Sequence, residues 1–258
     1  MNINSQMMES TCKIAGRNSV GSGFILGRPF PNDSGCARYT LITAHHVLAG
    51  IQDENAVLTL RRRKSADQWE RVDAPIRIRD DGKDLWIKHA DVDLAAMYVA
   101  LPDGVLKDSL LPTTLLLTDD ALREFEIGPG AELLCLGYPL GAEANPLGFP
   151  ILRSGKVASF PLLPTKEMKT FLFDFQVFKG NSGGPVYLYH TNPFYGGTTR
   201  IGSIQGIIGV VTNEQNVTQK TEMLFESREI RTPLSLGGVI PSSFICELLE
   251  KLPDPSIP

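Results

Sequence analysis

The tightest constraint on this chain is the length of its apolar runs. They are short, and Gly, Pro, Asn and Asp interrupt them throughout. GSGFILG, RYTLITA, NAVLTLRRR, APIRIR, LAAMYVAL, AELLCLGYP, FLFDFQVF, GPVYLY and SIQGIIGVVT are all strand-length and rich in Val, Ile, Phe, Tyr and Thr. So many short strands predict an all-β barrel or sandwich architecture. With 258 residues, 42% of them hydrophobic, the chain can build one large domain or two small ones. The stretch LPTTLLLTDDALREFEIGPG reads as a link between two β-rich halves, 1–118 and 119–258. Helix signals are rare. The clearest covers 242–252, where Ile245, Leu248, Leu249 and Leu252 recur at i, i+3, i+4 and i+7, with Pro241 and Ser242 placed for a helix start. That stripe is expected to pack on the barrel, and the tail LPDPSIP to be extended and mobile.

Charge and cysteine usage exclude several function classes. A net charge of −4 argues against a nucleic-acid partner, whose binding face needs excess Lys and Arg. The one basic cluster, Arg61 to Lys64, follows a strand-like run and reads as a solvated hairpin end. No run approaches the ~20 apolar residues that span a bilayer. The N-terminal segment MNINSQMMESTCK has no apolar signal core. Cys12, Cys36, Cys135 and Cys246 are far apart, without a CxxC pair, and suggest neither a disulfide framework nor a zinc site. A reducing, cytoplasmic setting is expected, with no membrane, metal or cofactor. The glycosylation-type triplet Asn216–Val217–Thr218 carries no weight in that setting.

Chemistry is concentrated around Ser182, in KGNSGGP. Glycines on both sides let the backbone turn sharply and expose N–H groups beside a nucleophilic hydroxyl. The same residues suit a plain Gly-rich hairpin, and they match the GxSxG elbow of α/β-hydrolases. The elbow requires a helix after the serine and a Ser–acid–His order. Here GPVYLY follows as a strand, and His190 comes only eight residues later with no acid between. The reverse order is available. LITAHHV ends a strand in His45 and His46, of which at most one faces a given cleft, and DVDLA offers Asp91 or Asp93 as the carboxylate that would orient an imidazole.

Taken together and in this order, TAHHV, DLAAM and GNSGGP resemble the segments of trypsin/chymotrypsin-like serine peptidases. The resemblance selects His46, Asp93 and Ser182 as a catalytic triad and implies an oxyanion hole made by the backbone N–H groups of Gly180 and Ser182. It implies two six-stranded antiparallel Greek-key β-barrels, with His46 and Asp93 on the first and Ser182 on the second. GSGFIL, LGYPLG, SGKVAS and GVIPSSFICELL resemble segments of the bacterial high-temperature-requirement-like branch, here without room for a PDZ domain. The implied activity is that of a serine endopeptidase acting on proteins or peptides; the alternative is a catalytically silent peptide-binding module on the same fold.

Two departures from the digestive enzymes of that family bear on regulation. Asn181 replaces the Asp that pairs with a freed N-terminus, so clipping is not the expected switch. Val47 replaces a half-cystine. The position six before the nucleophile is the neutral Gln176 rather than an acid. With Val177, Phe178, Val210, Val211 and Thr212 it is expected to shape an apolar pocket for small or medium aliphatic side chains. The polar stretch 213–233 reads as a long mobile loop that an activating protein partner or substrate would order.

Overall fold

A computed structural model describes residues 2–30, 33–106, 109–223 and 226–253; within 29–36 and 214–233 it describes backbone only. The chain opens with helix α1 (Ile3–Ser10) and strand β1 (Thr11–Ala15). Next come β2 (Val20–Phe30), β3 (Asp33–Thr43), the one-turn helix α2 (His45–Ala49), β4 (Asn55–Arg63) and β5 (Trp69–Arg77). The short strands β6 (Ile87–Lys88), β7 (Ala95–Tyr98) and β8 (Leu111–Pro112) complete the first half. These form an eight-stranded sheet in the order β5-β4-β1-β2-β3-β7-β6, with β8 parallel to β2.

The second half begins with helix α3 (Asp119–Glu124). It continues through β9 (Glu132–Gly137), β10 (Ile151–Val157), β11 (Phe171–Asp174), β12 (Pro185–Thr191), β13 (Ser203–Met223) and β14 (Glu226–Pro241). The six strands close into a barrel, β9-β10-β11-β14-β13-β12, and helix α4 (Ser243–Lys251) follows. The molecule is thus mostly β, as the apolar runs predict, with the C-terminal helix in its expected place. The hydroxyl of Ser242 does not cap α4; it donates to the Leu117 carbonyl. Residues 254–258, at the end of the expected mobile tail, lie outside the described residues.

Continuous apolar runs such as FIL and LIT have a structural cause. Side chains alternate faces along a strand, so a run without polar alternation needs cover on both sides. Ile25 and Leu41 enter the core of the first sheet. Their neighbours Phe24, Leu26 and Ile42 turn into a second cluster shared with Leu136, Tyr187 and Val210 of the barrel and Phe244, Ile245 and Leu248 of α4. A third cluster, around Leu133, Phe171, Phe173, Val186 and Ile208, fills the barrel. The middle cluster joins the halves, each of its fully buried large side chains contributing about 1.5–3 kcal/mol.

Three features differ from the sequence reading. Helix α1 was not anticipated: it is short, and only Ile3 and Met7, four residues apart, are buried in the shared core, with Met8 packed partly buried against it. The stretch 213–233 is largely a β-ribbon, with β13 and β14 paired from Asn216↔Pro233 out to Met223↔Glu226. Backbone pairing of this kind leaves no periodic apolar signature. Third, Arg61 is not solvated. Its side chain is among the largest fully buried ones. Nη2 donates to the carbonyls of Met8 and Glu9 at 2.8 Å each and to that of Thr11. Nη1 donates to the Gly148 carbonyl and the Tyr138 hydroxyl, each at 2.8 Å. The cation therefore closes the carbonyl end of α1, where positive charge is favoured, and ties it to the second half.

Each buried carbonyl left unpaired costs about 1–3 kcal/mol. Arg61→Ala should therefore lower unfolding stability by at least ~3 kcal/mol in a urea titration, with Arg61→Lys recovering little because one ammonium cannot span both groups of acceptors. A wild-type midpoint in either variant would contradict this role.

Candidate functional site

The site is assembled where β3 ends. Ala44 leaves the strand, and His45 and His46 begin α2. Asp93 stands opposite, in the turn before β7, and grips this start twice. One carboxylate oxygen accepts the His46 backbone N–H at 2.9 Å; the other meets His46 Nδ1 at 2.5 Å. His45 packs edge-on against Trp86, and its Nδ1 lies 4.0 Å from the carboxylate. The two histidines are thereby distinguished: His46 is the one hydrogen-bonded to the acid. A carboxylate only accepts, so Nδ1 carries the ring proton and Nε2 keeps a lone pair available to accept one.

Asp91 is directed elsewhere. Its carboxylate lies 3.5 Å from Lys169 Nζ, and its N–H donates to His89 Nδ1 at 3.1 Å. His89, which the sequence reading did not single out, is buried against Phe244. Its Nε2 faces Glu247 at 3.3 Å, linking the Asp93 turn to α4. No local sequence signal marks this histidine, because the two side chains it meets lie on α4.

Ser182 sits half-buried in a loop whose geometry depends on glycine. Gly180 and Gly183 have φ of 100° and 88°, in the left-handed region. A Cβ at Gly180 would strike the Tyr138 carbonyl, and one at Gly183 would strike the Ser22 carbonyl and the Thr43 hydroxyl. The loop is thus pressed against β2 and the end of β3, next to the residues that lead into His46. Within 180–184, the N–H groups of Asn181, Gly183 and Gly184 donate to Phe178, Val211 and Asn181 carbonyls at 2.9, 2.7 and 2.9 Å. Among the described residues, those of Gly180 and Ser182 have no acceptor. The Ser182 hydroxyl donates to the Thr212 carbonyl at 2.6 Å, and no hydrogen bond joins it to His46.

Asn181 is buried, and its Oδ1 has no partner among the described residues. An aspartate there would be an unpaired buried charge, a strongly unfavourable arrangement, so the amide suits this environment.

The expected pocket wall narrows. Val210 belongs to the core between the halves, and Val177 and Val211 belong to the barrel core. Thr212 is buried and presents its carbonyl. Gln176 and Phe178 remain half-buried. Arg153, from β10, donates to the Gln176 carbonyl at 2.8 Å and lies over the rings of Phe175 and Phe178. Sequence reading missed it because it sits in the middle of a strand. No cluster of His, Cys, Asp and Glu suited to a metal occurs among the described residues, and Cys12, Cys135 and Cys246 are free thiols.

Comparison with known proteins bears on the family and the fold. A family model described as a trypsin-like peptidase domain matches residues 21–196, a span that includes His46, Asp93 and Ser182. Among solved structures, the thermostable serine protease AL20 from an extremophilic microorganism is similar at 14% identity and TM-score 0.50, over 94% of this chain and 96% of that one. An inactive form of Rv3671c from Mycobacterium tuberculosis, carrying a serine-to-alanine substitution, is similar at 17% identity and TM-score 0.49, over 97% and 89%. No curated protein sequence matches the chain.

Burial alone would raise the Asp93 carboxyl, but the hydrogen bonds from the His46 ring and amide outweigh it and hold the group below its usual range. A depressed carboxyl stabilises the fold at pH above its unfolded value of about 3.9, and that contribution is lost as pH falls through the folded value. The stability difference between wild type and Asp93→Asn should therefore be full at neutral pH and shrink below about pH 4. Urea midpoints measured across that range test this; a constant difference would contradict the pairing.

Proposed function

The chain belongs to the trypsin-like peptidase family, and we propose that it is a serine endopeptidase in which Ser182, His46 and Asp93 form the catalytic triad. What carries the reading is the coincidence of two features. An imidazole is oriented by a carboxylate. Beside it, a glycine-built loop leaves only the Gly180 and Ser182 amides of residues 180–184 without an acceptor. That is the donor set a developing oxyanion needs. In this proposal residues 1–118 supply the base and its carboxylate, and 119–258 supply the nucleophile.

The reaction starts with rotation of the Ser182 side chain from the Thr212 carbonyl towards His46 Nε2. As Oγ bonds to the substrate carbonyl carbon, Nε2 takes the hydroxyl proton, and the carbonyl electron pair moves onto oxygen between the two free amides. Each such donor typically lowers the barrier by about 2.7–4 kcal/mol. Collapse of the intermediate breaks the C–N bond, and the leaving amine takes the proton from His46. Water then attacks the acyl-enzyme, again giving its proton to Nε2, and releases the acid and free Ser182. Asp93 remains ionised throughout and holds the imidazolium in place.

The neutral Gln176 and the half-buried Phe178 point to small or medium aliphatic residues before the cleaved bond. The guanidinium of Arg153 bonded to the Gln176 carbonyl disfavours a second cation there. Purified wild type should cleave a mixed peptide library after aliphatic residues. Ser182→Ala and His46→Ala should each lose on the order of 10³-fold or more of kcat/KM, and Asp93→Asn should fall by a comparable factor. Strict cleavage after Arg or Lys would overturn the pocket assignment. Hydrolysis that survives Ser182→Ala would overturn the mechanism.

A further inference from the structure

Asn181 offers no carboxylate with which a freed N-terminus could pair, and the contacts that hold the proposed nucleophile loop are identified by its carbonyls. The Lys179 carbonyl accepts from the Leu140 N–H at 2.6 Å, and the Asn181 carbonyl from the Gly184 N–H at 2.9 Å. The other two are held from the opposite half of the molecule. The Gly180 carbonyl accepts from the Ser22 hydroxyl at 2.6 Å. The Ser182 carbonyl accepts from the Ser22 N–H at 2.8 Å. Every carbonyl from 179 to 182 is therefore anchored. Because each peptide is planar and trans, the anchored Lys179 and Asn181 carbonyls fix the N–H groups of Gly180 and Ser182, and the anchored Gly180 carbonyl fixes the peptide that joins those two units.

We propose that Ser22 is a positioning residue for the peptidase reaction, its hydroxyl holding the Gly180–Asn181 peptide, which lies between the two peptides that carry the oxyanion-binding amides, so that those amides keep their orientation relative to each other. The proposal rests on the function proposed above. Of the four anchors, the Ser22 hydroxyl is the only side chain, and so the only one a substitution can remove cleanly. Gly180 also needs holding most, because its missing Cβ leaves it the widest conformational freedom.

Ser22 has no alternative outlet for its polar atoms. It is fully buried. Its hydroxyl oxygen also accepts the Tyr138 N–H at 3.1 Å, and its carbonyl accepts the Thr43 hydroxyl at 2.7 Å. A buried hydroxyl is costly unless bonded, and this one is bonded on both donor and acceptor sides. Gly21 and Gly23 flank it, and the hypothetical side chain excluded at Gly183 would occupy the space where the loop meets the Ser22 carbonyl. The site is therefore complete only when the two halves are docked.

The test compares wild type with Ser22→Ala on a peptide amide that wild type cleaves, and on a peptide aldehyde of the same residues, which forms a hemiacetal on the nucleophile. The expected result is a kcat lower by on the order of 10- to 100-fold, with KM within about twofold. Aldehyde affinity should fall in proportion to kcat/KM, because its new oxygen occupies the oxyanion site. Binding of the non-reacting peptide carboxamide should be unchanged. Equal kcat and aldehyde affinity in the two proteins would overturn the proposal, as would equal losses in carboxamide and aldehyde binding. Should thermal unfolding show that the alanine variant does not fold, Ser22→Cys fills a similar volume with a weaker donor. The same split is expected there, and an unchanged kcat would overturn the proposal. A wild type that cleaves no peptide would instead contradict the proposed function itself.

Discussion

A single buried guanidinium, that of Arg61, organises much of this molecule. Burying a cation is costly unless its donors are met. Arg61 meets those of its two terminal nitrogens with the last carbonyls of α1 on one side and the Tyr138 hydroxyl and Gly148 carbonyl on the other, while its Nε has no partner among the described residues. The consequence extends to the site. Tyr138 is held by its ring hydroxyl, and its own N–H and carbonyl border Ser22 and Gly180. Leu140, two residues on, donates to Lys179. The same cation also lowers the pKa of Cys12 and Tyr138, although burial dominates and pushes both groups up to about 12, leaving them neutral. Arg61 thus acts by geometry, as a bracket between the halves. The ion pairs of Glu143 with Lys13 and Arg71 lie near the same seam, but they are more exposed and contribute less.

The proposed chemistry is divided across that seam. The acid and the imidazole come from the N-terminal sheet, and the serine comes from the barrel. Backbone hydrogen bonds are a complete accounting problem in a buried loop, and within residues 180–184 the two amides left without an acceptor are those of Gly180 and Ser182, the proposed nucleophile. A polar centre of this kind requires both halves to be docked, and the shared apolar cluster around Phe24, Leu136, Tyr187 and Phe244 supplies the docking.

What was legible in the sequence follows from whether a feature is local. KGNSGGP, TAHHV and DVDLA each carry their constraint within a few residues, so the candidate site could be named from them. The uninterrupted runs FIL and LIT marked strands covered on both faces. Arg61 was misread because its burial depends on carbonyls far away in the chain; locally, a basic run after a strand looks solvated. Ser22 looked only like part of an opening strand, since the partners of its hydroxyl are backbone atoms of the other half. Val177, Val210 and Val211 were expected at a pocket, but the direction of a side chain is decided by what packs on it, and these three point into cores. The β-ribbon after Thr212 is held by main-chain pairing, to which an apolar period is blind.

The account is tested most directly by trapping the covalent intermediate. Incubated with an activated acyl ester at mildly acidic pH, where deacylation is slow, the protein should gain the mass of one acyl group. Peptide mapping should place that group on the fragment containing Ser182, and Ser182→Ala should gain none. An adduct on another residue, or none while the ester is being hydrolysed, would contradict the assignment of Ser182 as the nucleophile.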